Sequence, residues 1–395
     1  MLDGVNVALG VTGSIAAVKV VELAHELRRQ GATVRGIVTP AAQTIVHPWA
    51  VEFATENDVV TEITGAVEHV HLCGRDGWAD VLLVAPMTAN TAGKIAAAVD
   101  DTPVTTCATT ALGSGLPVVT VPAMHEPMYD HPGVAESLQR LRSWGVSIVR
   151  PRLEEGKAKI ASESDVVTAV ARATTPQTLA GKHVVVTAGA TTEQLDPIRI
   201  ITNRASGKTG RALARACHVR GADVTLIQDG PAVGYADVVD IETAAEMIEA
   251  TVEACRTADA LVSAAAISDF TADAVAEKIR SGSPLSVDLE PTPKLIDSVR
   301  DRYPELPIVG FKAETGGDDE EMVREARRIR DRVDLSFVVA NDAAVMGEDE
   351  TRVLLVDDEV MEQSGSKTAV ADRVADKLAG EIGTDADYDR SSASN

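Results

Sequence analysis

The chain has 395 residues, 45% of them hydrophobic, with 60 acidic against 37 basic side chains and a formal net charge of −23. That length suits two domains, each able to bury a core. No apolar run reaches the roughly 18 residues of a membrane span, no export signal opens the chain, and the acidic balance excludes tracking along a phosphate backbone.

Four cysteines, Cys73, Cys107, Cys217 and Cys255, stand without CxxC spacing. They fit neither a zinc site nor a disulfide framework, and they suit a reducing, cytoplasmic setting. Lysine is scarce, 11 against 26 arginines. Surplus carboxylates with little lysine suit a high-salt cytosol, so structure is expected to be lost faster in low salt than in high. In such a chain Lys94, Lys157, Lys159, Lys208, Lys278, Lys294 and Lys312, all in or beside motif-like stretches, are candidates for contacting anions.

The first strand is Val5–Leu9. Gly10-Val-Thr-Gly-Ser14 makes a glycine turn, Ile15–Arg29 a helix, and Gln30-Gly-Ala-Thr-Val34 leads into strand Val34–Val38. After Thr39-Pro40 come a helix-like Ala41–Val46 and a loop with Trp49 and Phe53. Glu68-His-Val-His-Leu72 and Trp78-Ala-Asp80 precede strand Val81–Val84. Thr88, Ala89, Asn90 and Thr91 then lie between that strand and helix Ala92–Val99, where open α/β sheets bind ligands. A plain helix cap also uses Thr or Asn there. Strand Val118–Val121 ends in Pro122-Ala-Met-His125. Helix Val134–Trp144, strand Val146–Val149, a loop over Arg152–Ile160 and helix Ser164–Thr174 close this half.

At His183 the chain starts over. His183–Thr187 is a strand, Gly189 follows, and after a polar insert Ser206-Gly-Lys-Thr-Gly210 opens helix Ala212–Arg220. Arg220-Gly-Ala-Asp-Val224 enters strand Val224–Gln228, repeating the Gly-Ala-x-Val of the first half. Each opening presents loop N–H groups and a helix N-terminus to an anion. On the repeat alone, a shared α/β start with no functional link explains the pattern equally well. Ser206-Gly-Lys-Thr209 is not a P-loop, because Thr202 stands where its first glycine belongs. Helix Ala244–Cys255, strand Ala260–Ala264, the run Ala265–Phe270, Glu277-Lys-Ile-Arg280, a helix from Pro291-Thr-Pro-Lys294, strand Pro307–Val309, Gly310–Glu314, helix Asp319–Arg332 and Phe337–Asp342 complete the half. Charged side chains at successive strand ends suggest one shared cleft.

Gly10–Ala17, His69-Val-His-Leu72, Trp78-Ala-Asp80, Ala85–Asn90 and Pro122-Ala-Met124 resemble the flavin-dependent cysteine decarboxylase family. In order and spacing they resemble the phosphopantothenoylcysteine decarboxylase half of the bifunctional coenzyme A biosynthesis family. The resemblance implies FMN bound by Gly13, Ser14, Thr39, Thr88, Ala89 and Asn90, with His69 catalytic. A cysteine α-carboxylate has no electron sink. Oxidising the thiol carbon to a thioaldehyde places the carboxylate β to C=S, so that CO₂ can leave and a returned hydride keeps the reaction redox-neutral. Where the family has Asn after Pro-Ala-Met this chain has His125, which can also donate to a carboxylate. The flap cysteine of bacterial members is absent, leaving Lys157 or Lys159 as proton donor or as substrate-phosphate contact.

Thr187–Ala190, Leu195-Asp-Pro-Ile-Arg199, Ile201-Thr-Asn203, Ser206–Lys208, Ala265–Phe270, Glu277–Ile279, Gly310–Glu314 and Ala340–Asp342 resemble the phosphopantothenate–cysteine ligase half of the same family. The resemblance implies an acyl-nucleotide formed from 4′-phosphopantothenate with release of pyrophosphate, then attack by cysteine. Lys278 would neutralise the phosphates, and Asn203 would hold the acyl intermediate. Gly189, Ala265, Ala266, Asp269, Phe311, Lys312, Ala313, Glu314, Arg327 and Asn341 would hold the nucleotide. Arg204, Ser206, Gly207 and Lys208 would hold the substrate. Mg²⁺ would bridge the phosphates, and the nucleotide is CTP or ATP. Arg327 or Arg330 stands in for a family lysine.

The expected fold is α/β, two three-layer Rossmann-like domains. A flavodoxin-like decarboxylase domain (1–175), a linker (176–181), a ligase domain (182–383) and a disordered tail (384–395) follow one another. The family also implies a homo-oligomer of trimer and dimer contacts, possible as a dodecamer. Two other readings stay open: a flavin-binding regulatory protein, or a flavin-dependent decarboxylase of another substrate with a degenerate nucleotide-binding second half.

Overall fold

The structure, a computed structural model, describes residues 1–154, 157–280, 285–314, 318–342 and 350–383. Its contacts divide into two units, Met1–Thr175 and Pro176–Asn395. Among the described residues no helix is long and apolar enough to cross a membrane. The tail, 384–395, lies outside the description.

In the first unit five parallel strands lie in the order Thr33–Val38, Asn6–Val11, Val81–Met87, Val118–Pro122, Ser147–Ile148. Every residue of Val81–Met87 is buried, as a strand covered on both faces requires. Each Val or Leu there contributes roughly 1.5–3 kcal/mol over leaving it in water. Helix Val20–Arg29 buries Val20, Leu23, Ala24 and Leu27, the stripe of an amphipathic helix. This strand order is the flavodoxin-like one. Its direction reverses between Asn6–Val11 and Val81–Met87, so the loops after these two strands flank the crevice where such sheets take ligands.

The second unit holds an eight-stranded sheet. Its parallel part runs Asp237–Asp240, Asp223–Gln228, His183–Ala188, Ala260–Ser263, Ile308–Glu314, Phe337–Asp342, and antiparallel Glu350–Val356 and Val360–Ser366 extend one side. The parallel order is that of a dinucleotide-binding sheet, and it reverses between His183–Ala188 and Ala260–Ser263. Helix Lys367–Ile382 covers helix Lys208–Val219. Arg220, 6% exposed, bonds Asp376 at 2.7 Å and Asp372 at 3.0 Å on that last helix.

Several elements differ from the sequence reading. The expected helix Ile15–Arg29 begins as a 3₁₀ turn, Ile15–Lys19, because the Ser14 hydroxyl accepts from Ala16 N and tightens the start. The expected loop with Trp49 and Phe53 is a helix, Pro48–Thr55, opened by proline at its first position. The loop expected over Arg152–Ile160 is an antiparallel pair, Arg152–Glu154 with Lys157–Lys159, and the latter also pairs with Met124–His125. Phe311–Glu314, expected past a strand end, lie within strand Ile308–Glu314.

Candidate active sites

At the crevice of the first unit, Thr12 Oγ1 donates to Pro86 O at 2.7 Å and accepts from Thr88 N at 3.2 Å, tying the two crossover loops together. Ser14 Oγ donates to Ala123 O at 3.1 Å, and Ala123 N donates to Met87 O at 3.1 Å. Thr39 N donates to Val11 O at 3.1 Å. A Cβ on Gly13 would lie 2.6 Å from Ala41 Cβ, so only glycine lets these loops touch. Gly13, Ser14, Thr39, Thr88 and the segment ending at His125 therefore meet in one cradle, with Ala89 and Asn90 in the helix that Thr88 caps. Thr12 knits the cradle and was not singled out in the sequence, where a threonine between glycine and glycine looks like any turn residue.

His69 lies on a short helix, Glu68–Cys73. Its Nδ1 is buried and has no hydrogen-bond partner among the described residues, whereas His71 is exposed. A buried polar atom without a partner is costly, so Nδ1 has hydrogen-bonding capacity that the described residues do not use. Donations from the Thr64 hydroxyl and amide hold the neighbouring Glu68 carboxyl below its usual range. His125 is exposed and pairs in backbone register with Lys157. Glu155, Gly156 and the side chain of Lys157 lie outside the described residues, while Lys159 is half-buried. Lys94, expected to meet an anion, is instead held by Asp101 at 2.7 Å.

In the second unit Ala266 N donates to Gly189 O at 2.8 Å across the switch point. Gly189 and Gly207 touch: a Cβ on Gly207 would lie 3.2 Å from Gly189 N. A Cβ on Gly210 would meet Ala188 Cβ at 2.4 Å, so the helix seats directly on the strand. Gly189, Gly207 and Gly210 thus do the work of the three glycines of a dinucleotide loop, with residues 190–206 looped out between the first two. Helix Lys208–Val219 starts at Gly207, φ +70°, a cap residue with no side chain to bond the helix start, and a helix N-terminus directs its N–H groups toward an anion. Arg211 lies over this turn, bonded to Ser206 O at 2.7 Å. The sequence reading missed it, although it directly follows the glycine that seats the helix.

Asn203 Nδ2 donates to Ala266 O at 3.0 Å, bringing the expected acyl-binding residue to the switch point beside Ala265. Ser206, Lys208, Arg204 and Lys278 are exposed. Asp269 forms an ion pair with Lys294, so neither is a bare charge awaiting a ligand. Phe311, Lys312 and Ala313 run in register with Val339, Ala340 and Asn341; the side chain of Glu314 lies outside the described residues. Arg327 donates to Asp358 O at 3.0 Å and Arg330 pairs with Asp331 and Asp358, which turns both toward the Asp357–Glu359 bend. Two buried carboxylates have no role in the sequence reading, Glu193 at 6% exposure and Asp196 of the Leu195–Arg199 motif at 2%. Burial alone would raise the Asp196 carboxyl; the amides of Ile279, Ile198 and Arg199 and the Arg199 guanidinium outweigh it and hold it well below the usual carboxylate range.

A family model described as Flavoprotein matches residues 1–175, and one described as DNA/pantothenate metabolism flavoprotein C-terminal domain matches residues 179–382. The coenzyme A biosynthesis bifunctional protein CoaBC of Thermococcus kodakarensis is 49% identical over 361 residues, 90% of this chain and 89% of that one. The protein of the same name from Methanocaldococcus jannaschii is 34% identical over 388 residues, 96% of this chain and 94% of that one. A solved FMN-dependent cysteine decarboxylase, SpaF, covers 43% of this chain and 99% of its own at 29% identity and a TM-score of 0.38.

Proposed function

Because the chain belongs to the family of bifunctional coenzyme A biosynthesis proteins, we propose that its second unit joins 4′-phosphopantothenate to cysteine and its first decarboxylates the product to 4′-phosphopantetheine. The observation that carries the reading is the pairing of two differently built crevices, each at the switch point of its own parallel sheet.

FMN fits the first crevice. Gly13 lets its loop pack directly on the Ala41 turn, which holds Ser14 and Thr39 close together, and Thr88, Ala89 and Asn90 complete the lining. When bound, FMN supplies reversible removal of a hydride from the substrate's thiol carbon. The chain's own part is placement and proton transfer. His69, with Nδ1 unpartnered, takes and returns a proton. His125 donates to the departing carboxylate. Lys157 and Lys159, on the strand pair that runs beside His125, bind the substrate phosphate or protonate the product.

In the second crevice the helix start at Gly207, with Arg204, Ser206, Lys208 and Arg211, holds the phosphate of phosphopantothenate. Asn203 holds the acyl-nucleotide, and Lys278 and Lys312 stabilise charge that grows as pyrophosphate leaves. The nucleotide, CTP or ATP, lies against Gly189, Ala265, Ala266, Phe311–Glu314 and Asn341, with Asp269 released from Lys294 to meet it. Mg²⁺ arrives with the triphosphate, as suits an ion that keeps several of its waters. Arg327 serves the nucleotide only by turning away from Asp358.

Exposed apolar side chains support self-association. Ile15, Val18, Trp49 and Phe53 stand out from the first unit, and Ile198 and Ile200 from the second. The assembly is a homo-oligomer with contacts from both units, and the reactions belong to the cytoplasm.

One incubation tests the reading: phosphopantothenate, cysteine, Mg²⁺ and either CTP or ATP, with pyrophosphate and CO₂ followed separately. Pyrophosphate with one nucleotide and subsequent CO₂ from a yellow protein are expected. Colourless protein that cannot take up FMN and releases no pyrophosphate would sink it.

A further inference from the structure

Residues 192–202 form a two-stranded ribbon, Thr192–Gln194 against Ile200–Thr202, and Asn203 follows directly. Four hydrogen bonds join this ribbon to the segment that carries Lys278. Thr271 Oγ1 donates to Glu193 Oε2 at 2.8 Å and Val275 N donates to Leu195 O at 3.1 Å. Ile279 N donates to Asp196 Oδ2 at 3.0 Å, and Arg199 Nη1 donates to Ile279 O at 3.0 Å. Both backbone groups of the residue after Lys278 are thus held by one turn of the ribbon.

That turn is centred on Asp196. Its Oδ1 accepts from Ile198 N and Arg199 N, both at 2.8 Å. Those two bonds alone would make the turn, and Oδ2 could then face water. Instead Oδ2 is buried and accepts from the Arg199 guanidinium and from Ile279. Burying a carboxylate is unfavourable unless every acceptor position is filled. A chain with 60 acidic residues has no shortage of places to keep one in water.

Resting on the ligase reading above, we infer that Asp196 is a positioning residue for nucleotide activation. Its carboxylate fixes Ile279, and through it the backbone of Lys278, relative to Asn203. The group that holds the acyl-nucleotide and the cation that meets the leaving phosphates are presented from one piece of structure. Displacing such a cation by about 1 Å lowers turnover by on the order of a hundredfold.

The test is Asp196→Asn in the full chain, with Lys278→Gln and the double variant alongside. The Asn amide has a single acceptor oxygen, so its NH2 group opposes either the Ile198 and Arg199 amides or the Ile279 amide and Arg199 guanidinium. Pyrophosphate release should fall about a hundredfold in kcat with a smaller change in nucleotide KM. Decarboxylation of supplied phosphopantothenoylcysteine should be unchanged. On the Lys278→Gln background, Asp196→Asn should cost less than about threefold further, since residues acting through one another are non-additive. Ile279→Pro, which removes the same donor and leaves the Asp196 turn intact, should reproduce the kcat loss even if Asp196→Asn proves poorly folded. Wild-type kcat in Asp196→Asn or in Ile279→Pro, or full additivity in the double variant, overturns the assignment. Wild-type pyrophosphate release in Lys278→Gln would instead remove the reading of Lys278 on which it rests.

Discussion

In the first unit only Thr12–Ser14 separate a strand from the next helical turn, and side chains complete the exposed backbone donors: Ser14 accepts from Ala16 N, Thr39 from Ala42 N and Thr88 from Thr91 N. In the second, residues 189–207 separate strand from helix, and the cap residue is a glycine, which brings no side chain to the helix start. The first crevice is finished with neutral hydroxyls, which suits a ligand that is mostly a flat apolar ring with one phosphate. The second has a glycine at its helix start with Arg211 over the turn and exposed Arg204 and Lys208 beside it in sequence, which suits anionic ligands. The same chain path serves two charge regimes by changing what stands at the helix start.

Paired substitutions break that comparison most sharply. His69→Asn should lower CO₂ release by about 10²–10⁴-fold while leaving pyrophosphate release intact. Lys278→Gln should do the reverse, by about 10²–10³-fold. Both are read in one assay with each product followed separately, and loss of both activities from either change would undo the separation.

A second pair probes the glycines. Gly210→Ala forces a Cβ onto Ala188 and should destabilise the second unit by about 1–3 kcal/mol in urea unfolding. Gly13→Ala forces one onto Ala41 and should instead show as weakened FMN retention, measured as absorbance remaining after dialysis.

The smallest effect is on pH dependence. Asp196 is held below its unfolded value of about 3.9. Its contribution to stability is present above that value and is lost as pH falls toward the folded one. The urea midpoint of the second unit should therefore fall more steeply below about pH 5 in the wild type than in Asp196→Asn.

Both sheets are legible in the sequence because their central strands are apolar runs, one followed by Gly189 and the other by the Thr88 helix cap. His183–Ala188 and Val81–Met87 have no amphipathic alternative. Helix Pro103–Ser114 gave no such signal. Four of its residues are threonine, and a capping box between Thr102 and Thr105 with a buried face sets it in place. The cradle residues were read from motif likeness, and the structure brings Ser14, Thr39 and Thr88 to one crevice. Ion pairing was not readable: Lys94 and Lys294 have acidic partners, Asp101 and Asp269, that no local spacing distinguishes from their neighbours. Nor could Glu193 and Asp196 be told from surface acids, since what makes them different is the amides that converge on them from 50 or more residues away, Ala244 and Ile279.

The contact between Gly189 and Gly207 means that the chain leaves the sheet and returns to it at the same spot. What lies between behaves as a graft on a closed stem. Doubling the length of such an excursion costs only about 0.6 kcal/mol in closure entropy, and the seat of helix Lys208–Val219 on its strand rests on Gly207 and Gly210 at the stem. The scaffold can therefore exchange its reaction-specific tissue without renegotiating its foundations, which is one route by which an old nucleotide fold acquires a new chemistry.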